Sequence, residues 1–144
     1  MSNTIVVAYD GNDSAKRALA FAVERAKVIS GNVVVAHVLE WSPYKFLTPQ
    51  EIEERHARRQ DELSRAEAAL LTPVKEEYAS SGVPISTVIK YGHVSETLIK
   101  LATAEGAVQL IIGRTGEGAL SSRLFGSVAG TLAQTCPIPV TIVP

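Results

Sequence analysis

The chain has 144 residues, 46% of them hydrophobic and 20% charged, which is the size and composition of one globular domain with a single core over residues 1–144. Its 14 basic and 15 acidic side chains give a net charge of -1, which lacks the positive surplus that non-specific binding to nucleic acid or a membrane surface requires. A single cysteine, Cys136, excludes an internal disulfide, and no apolar run approaches the roughly 20 residues that cross a bilayer, so we expect a protein of the reducing cytoplasm.

The first predicted elements are a strand and a helix. Thr4 to Tyr9 is a run rich in β-branched residues, typical of a parallel strand that is covered on both faces. The turn Asp10-Gly11-Asn12-Asp13 ends this strand, and Asp13 and Ser14 are available as helix caps. Apolar residues then recur every three or four positions, which predicts a helix ending near Ser30-Gly31. These apolar residues are Ala15, Ala18, Leu19, Ala22, Val23, Ala26 and Ile29.

The second strand and a long polar helix come next. Val33 to Leu39 predicts a buried strand. Thr48-Pro49-Gln50-Glu51 combines a capping residue, a first-turn proline and a capping-box glutamate, which predicts a helix start. The charge run from Glu51 to Arg59 is typical of a solvated face. Pro73 is expected to kink or divide this helix, because an interior proline loses a hydrogen bond and clashes with the preceding turn.

The rest of the chain continues the alternation of strand and helix. In chain order we predict a strand over Ile85–Tyr91, a helix from Val94 to near Gly106, a strand over Val108–Ile112, a short helix over Ser127–Thr135 and a last strand over Val140–Val143. Consecutive parallel strands cannot be joined by hairpins, so strict alternation predicts an α/β fold with an open five-stranded parallel sheet and helices on both faces.

The glycine-containing turns predict the strand order. One such turn follows strand one at Asp10-Gly11, and the other follows strand four from Gly113. Ligands of these sheets bind beyond the carboxyl ends of the strands, where the strand order reverses. Strands one and four are therefore predicted to be neighbours, in the order 3-2-1-4-5, with a ligand crevice between their loops.

The loop after strand four has the composition of a phosphate-binding segment. Glycines let backbone amides approach an anion, and Gly126-Ser127 precedes a helix whose N-terminus attracts negative charge. Ser127 is able to cap the helix or donate a hydrogen bond to a phosphate. Arg114 or Arg123 is able to supply positive charge. The alternative is a flexible loop before a capped helix; neither the P-loop nor the Rossmann fingerprint is present. The glycines concerned are Gly113, Gly116, Gly118, Gly126 and Gly130.

A spacing pattern in this loop carries a family resemblance. Gly113, Gly116, Gly126 and Ser127 match the motif G-x2-G-x9-G-[ST]. Further likeness lies in the segments VAYDGNDSAKRAL, AHV, YGHVSETLIKLA and CPIPVTIV, so that it spans the whole chain. By these features the chain resembles the ATP-binding branch of the universal stress protein family.

The resemblance implies a site for ATP, with Mg2+ or Mn2+ bridging the phosphates and held mainly by them. The base and ribose are expected at the end of strand one, and the adenine edge at the backbone of strand two. The implied residues are Ala8, Tyr9 and Asp10 for base and ribose, Val38 for the adenine edge, Gly113 and Arg114 for the ribose and first phosphate, and Gly116, Gly126, Ser127 and Val128 for the triphosphate.

The resemblance also implies a homodimer. Members of the family pair through their last strand, so Val140–Val143 is expected to pair antiparallel with its copy, since an exposed edge strand is a template for pairing. Association of dimers into a higher oligomer is left open. The stretch from Trp41 to Pro49 is variable in the family, and no lid or partner surface is predicted there.

Three positions depart from the family pattern. Gln109 stands where an acid is usual, Arg114 where serine is common, and His93 where the entry to the helix often has aspartate. None of these departures removes a phosphate ligand. Arg114 is the one that is expected to alter affinity or nucleotide preference.

Several polar residues have alternative interpretations. Asp10 is able to bind ribose, help hold a metal or cap the first turn, and a ligand role is favoured because other caps are at hand. His37, His56 and His93 show no metal-ligand spacing with Cys136 and are interpreted as structural, with a minor contact at the crevice left open for His37. Cys136 is interpreted as a small buried apolar residue.

Three functions are weighed on this basis. The first is a regulatory sensor whose ATP-bound dimer is read by an unidentified protein partner, which needs no catalytic base. The second is an enzyme, a slow ATPase or autophosphorylating phosphotransferase, in which Asp10 would act on the γ-phosphate or on water. The third is a nucleotide-free dimeric scaffold, against which the intact Gly116 and Gly126 argue. We expect binding without efficient turnover, and hence no catalytic residues.

Overall fold

The sheet has the predicted architecture. The computed structural model describes residues 3–40, 48–115 and 127–144. Within them, five strands form one sheet in the order β3-β2-β1-β4-β5, and every neighbouring pair is parallel. The predicted fold class and strand order are thereby confirmed. The strands are β1 (Thr4–Ala8), β2 (Asn32–Glu40), β3 (Ile85–Gly92), β4 (Gln109–Gly113) and β5 (Val140–Val143).

Helices connect the strands and cover both faces of the sheet. None of those in the described ranges combines the length and the apolarity that crossing a membrane requires. They are α1 (Asp13–Ile29), α2 (Pro49–Ala66), α3 (Thr72–Glu77), α4 (Val94–Ala104) and α5 (Ser127–Thr135), with a π-helical turn at Glu67–Leu71 between α2 and α3.

The sheet separates two hydrophobic clusters. Ile5 and Val7 of β1 pack on one side with α1, the π-helical turn and α3, whereas Val6 packs on the other side with α4 and α5. Successive side chains of a strand point to opposite faces, so a strand that is buried on both faces must be apolar throughout. This is why β1 reads as a continuous apolar run. Its central residues are fully buried.

The start of α1 corrects one prediction. The cap is Asn12, whose side-chain oxygen accepts a hydrogen bond from the Ala15 amide at 2.7 Å, and not Asp13 or Ser14. Asn12 has the extended backbone of an N-cap, while Asp13 and Ser14 already lie in the first turn. At the other end, Ser30 takes the left-handed conformation with φ of 53°, which stops the helix where it was predicted to stop.

The long polar helix begins and divides as predicted. Thr48 accepts from the Glu51 amide at 3.2 Å, and the π-helical turn interrupts the helix directly before Pro73. No residue of α2 is buried, in keeping with a solvated helix. The hydroxyl of Tyr91 on β3 ties α2 to the sheet by donating to the Arg59 carbonyl at 3.0 Å, and the Arg59 guanidinium lies 5.2 Å from the centre of the Tyr91 ring.

Two neighbouring side chains of α1 test this packing. Leu19 is 1% exposed in the cluster beneath α1, whereas Phe21 is 44% exposed on the opposite side of the helix. We expect Leu19→Ala to lower the free energy of unfolding by about 2–5 kcal/mol, through lost burial and an unfilled cavity. Phe21→Ala should cost about 1 kcal/mol or less. Urea denaturation measures both, and equal losses would contradict this orientation of α1.

Candidate functional site

A cleft of about 510 Å3 lies where the strand order reverses. Its volume is in the range of small-molecule sites. It opens beyond the carboxyl ends of β1, β2 and β4, at the position expected for a ligand of such a sheet. Its walls are Ala8, Tyr9 and Asp10 after β1, Ala15 of α1, Ala36, His37, Val38, Leu39 and Glu40 of β2, Val94 and Leu98 of α4, Ile112, Gly113 and Thr115 around the end of β4, and Ser127, Val128 and Ala129 of α5.

Gly113 lets β4 run directly against the start of α1. A Cβ added there would collide with the Ser14 hydroxyl oxygen and would lie 2.8 Å from the Ser14 carbonyl carbon and 3.0 Å from the Ala15 nitrogen. Real Cβ contacts with backbone atoms are almost never so short. The glycine is therefore required for the close approach of strand and helix, because any side chain would push β4 away from α1.

Two side chains at the start of α1 hold the segment that leaves β4. Asn12 Nδ2 donates to the Thr115 carbonyl at 2.9 Å, so that the capping residue also spans the gap between the two loops. The Ser14 hydroxyl accepts from the Thr115 amide at 3.4 Å and donates to the Val143 carbonyl at 3.2 Å. The turns after β1 and β4 are thus joined to each other and to the end of β5.

The acidic residue after β1 takes part in the turn and in the cleft. Asp10 accepts the Asn12 amide through Oδ1 at 3.1 Å, which is the local turn role weighed from the sequence. It also lines the cleft, as does Glu40 at the end of β2. No lysine or arginine of the described ranges is among the lining residues. The fixed charge of this part of the cleft is therefore negative, and an anion would depend on backbone amides and on neutral side-chain donors such as Ser127 there.

The tyrosine after β1 is unsuited to proton transfer. Its side chain is 8% exposed in the cluster beneath α1. Burial, and then the nearby Glu77 carboxylate, raises the pKa of the Tyr9 phenol above its usual range, with smaller contributions from Tyr78 and Asp10. Tyr9 therefore stays protonated at neutral pH. It lines the cleft and packs in the hydrophobic cluster.

The histidines and the cysteine make local contacts. His37 Nδ1 is 2.8 Å from the Tyr9 carbonyl oxygen, and His93 Nδ1 is 3.3 Å from the Ser95 hydroxyl. Cys136 is partly buried against the cluster formed with α4 and α5. In the part of the chain that the structure describes, no group of three or more His, Cys, Asp or Glu is placed to hold a metal ion.

Most of the residues implied by the sequence lie together in the cleft. Arg114 is not among its lining residues; its side chain is exposed and its amide donates to the Val143 carbonyl at 2.7 Å. Gly116 and Gly126 lie outside the described residues, as do Arg123 and most of the Trp41–Pro49 stretch. The residues that are brought together are Ala8, Tyr9, Asp10, Val38, Gly113, Ser127 and Val128.

Some walls of the cleft were missed by the sequence analysis. Val94 and Leu98 of α4 pack in the core with their apolar side chains, and they also close one side of the cleft. Their apolar spacing could not separate these two uses. Asn12 and Thr115 have no signal that relates them, because their contact joins positions that are distant in the chain.

Comparison with known families identifies the family of this chain. The model of the universal stress protein family matches residues 1–144. The chain belongs to the universal stress protein family. A relative from Thermus aquaticus, named "Universal stress protein in QAH/OAS sulfhydrylase 3'region", is 34% identical over 145 residues and covers 99% of both chains.

Solved universal stress proteins share the fold. Universal stress protein UspA from Lactobacillus plantarum superposes with a TM-score of 0.85 at 23% identity, over 99% of this chain and 97% of that chain. A universal stress protein solved in complex with cAMP superposes with a TM-score of 0.61 at 26% identity, over 99% of this chain and 96% of that chain. The five-stranded sheet is thus the fold of this family.

The contact of Gly113 with α1 can be tested by one methyl group. Gly113→Ala should lower the free energy of unfolding by about 1–3 kcal/mol, because the strand and helix must move apart. It should also speed amide exchange at Thr115, whose amide is held by Ser14. Gly82→Ala is the control: its φ of +81° strains an alanine by about 1 kcal/mol, but nothing lies within 4 Å of the new Cβ. Unchanged exchange at Thr115 in Gly113→Ala would contradict the assigned contact.

Proposed function

We propose that this protein binds ATP in the cleft and acts as a nucleotide-dependent regulatory module in the cytoplasm. The observation that carries the proposal is the convergence in one cleft of Asp10 after β1, Val38 on β2, Gly113 on β4 and Ser127 of α5. These residues lie far apart in the sequence. The family resemblance implies for each of them a contact with part of one nucleotide.

The walls of the cleft suit the parts of ATP. Ala8, Val38 and Leu98 offer small and apolar surface for a base, and most ligand pockets are apolar with a few polar groups. Ser127 opens α5, where unpaired amides and the helix dipole favour a phosphate. The negative charge of Asp10 suits ribose hydroxyls or a cation at the phosphates. A bound Mg2+ or Mn2+, held mainly by the phosphates, would supply charge neutralisation, and the Asp10 carboxylate of the cleft would help to hold it.

A structural relative supports a nucleotide as the class of ligand. The universal stress protein solved with cAMP shares the fold over nearly all of this chain, at 26% identity. Its ligand is an adenine nucleotide, which is the class that the glycine motif implies for this chain. The choice of ATP among adenine nucleotides rests on the resemblance of the motif from Gly113 to Ser127 to that of the ATP-binding branch of the family.

Regulation would act through a dimer. β5 lies at one edge of the sheet, and its residues, Val140–Val143, are each partly exposed. An apolar edge strand with unpaired backbone groups is a template for pairing with a copy of itself. The Val143 carbonyl also accepts hydrogen bonds from Ser14 and from the Arg114 amide. Because the Ser14 hydroxyl also accepts from the amide of Thr115, which lines the cleft, hydrogen bonds join the proposed dimer edge to the wall of the cleft, and a ligand is able to bias both. An unidentified protein partner would recognise the occupied dimer.

The proposed phosphate contact of Ser127 is tested by a pair of variants. Ser127→Ala removes the hydroxyl, and since hydrogen bonds to charged groups contribute about 1.5–3 kcal/mol, ATP affinity should fall at least roughly tenfold. Ser127→Thr keeps the hydroxyl and satisfies the same motif, so it should bind ATP within roughly twofold of the parent. Isothermal calorimetry with ATP and Mg2+ measures both. Equal affinity in all three proteins would exclude Ser127 as a phosphate ligand.

The nucleotide that the purified protein retains distinguishes binding from turnover. Denaturing the protein and analysing the released small molecules should give ATP if the protein is a sensor. Release of ADP, together with measurable turnover, would instead indicate an ATPase. Binding of neither ATP nor any other adenine nucleotide, on release or on titration, would contradict the proposal.

A further inference from the structure

The imidazole of His37 stands between the ends of two neighbouring strands. Its Nδ1 lies 2.8 Å from the carbonyl oxygen of Tyr9. A carbonyl oxygen can only accept, so Nδ1 carries the hydrogen and donates it.

The ladder between β1 and β2 stops at this contact. The paired residues of the two strands end at Ala8 with Ala36, whereas β2 continues beside β3 as far as Glu40. The last rung is the bond from the Tyr9 amide to the Ala36 carbonyl, at 2.8 Å. In a regular parallel ladder the next rung would run from the Val38 amide to the Tyr9 carbonyl. The His37 ring donates to that carbonyl.

The alternation of backbone groups along β2 gives the direction of the Val38 amide. The Asn32 amide donates to the Asn3 carbonyl on the β1 side, at 3.2 Å, and the Val33 amide donates to the Pro84 carbonyl on the β3 side, at 3.0 Å. Even-numbered residues of β2 therefore direct their amides and carbonyls toward β1. Val38 is even-numbered and lies beyond the end of β1. Its backbone polar groups point toward the mouth of the cleft that it lines.

We propose that His37 is a positioning residue, which donates to the Tyr9 carbonyl and so leaves the backbone edge of Val38 available to a purine base. The inference rests on the proposed binding of ATP. The Val38 amide would donate to a ring nitrogen of adenine, and the Val38 carbonyl, which points to the same side of the strand, would accept from the exocyclic amine. Without the imidazole, the Val38 amide would donate to the Tyr9 carbonyl. Adenine would then have to displace that hydrogen bond in order to accept from the Val38 amide.

Two substitutions separate the hydrogen bond from the bulk of the ring. His37→Asn keeps a donor bonded to Cγ, at the place that Nδ1 occupies, while His37→Leu fills similar space without a donor. A role of His37 in packing alone would be met equally well by Leu. If the hydrogen bond from Nδ1 is what matters, His37→Asn should behave like the parent protein and His37→Leu should not.

The first measurement uses the ligand-free protein. In His37→Leu the Tyr9 carbonyl should close the next rung, so that amide exchange at Val38 slows by on the order of tenfold relative to the parent, as one added hydrogen bond predicts. His37→Asn should exchange like the parent. Equal Val38 exchange in the parent and His37→Leu would overturn the inference, whether or not the protein binds ATP.

The second measurement compares ATP with inorganic tripolyphosphate by calorimetry. His37→Leu should weaken ATP by roughly fivefold to tenfold and leave tripolyphosphate unchanged, because the Val38 contact belongs to the base. His37→Asn should match the parent for both ligands. Equal ATP affinity in Leu and parent, or equal losses in Leu and Asn, would overturn the role of His37. Absence of ATP binding by the parent would instead refute the proposed function. Amide exchange at Val38 would still decide whether His37 prevents the hydrogen bond from the Val38 amide to the Tyr9 carbonyl.

Discussion

The reversal of strand order at β1 is the constraint on which the site depends. β1 pairs with β2 on one side and with β4 on the other, and the chain passes from β1 into α1 on one face and from β4 toward α5 on the opposite face. Neither helix covers the carboxyl ends of the strands, so a cleft remains there. Gly113 sets the distance between β4 and α1, and Asn12 joins the two loops through Thr115. The strand order thus creates the cleft, and these contacts hold the loops beside it together.

The chemistry of the cleft follows from which groups reach it. Its described walls carry the carboxylates of Asp10 and Glu40 and the neutral polar side chains of Thr115 and Ser127, and backbone groups at strand ends and at the start of α5 add further polar atoms. Under the proposed function, such neutral donors would bind a phosphate without the cost of burying an unpaired cation. Backbone groups would likewise recognise the base, because the proposal uses the edge of β2 that His37 leaves unpaired with β1.

Strand order, both helix faces and the place of the cleft could be predicted from the sequence, because apolar runs, helical spacing and glycine turns are local signals that topology then combines. The contacts that shape the site could not. Asn12 reaches Thr115 and His37 reaches Tyr9 across gaps in the sequence that no spacing records. Asp13 and Ser14 were predicted as caps of α1 instead of Asn12 because these three polar residues in a row all suit a helix start, and only the backbone of Asn12 decides between them. Val94 and Leu98 serve core and cleft at once, which an apolar stripe does not reveal.

The most direct test of this account is a crystal structure of the protein grown with ATP and Mg2+. The account predicts the adenine beside Ala8 with its edge on the Val38 backbone, and the phosphates against Gly113 and the first turn of α5. It also predicts an unbroken contact between His37 and Tyr9. A nucleotide bound elsewhere on the protein, or this cleft closed by protein groups in the presence of saturating ATP, would contradict the central claim.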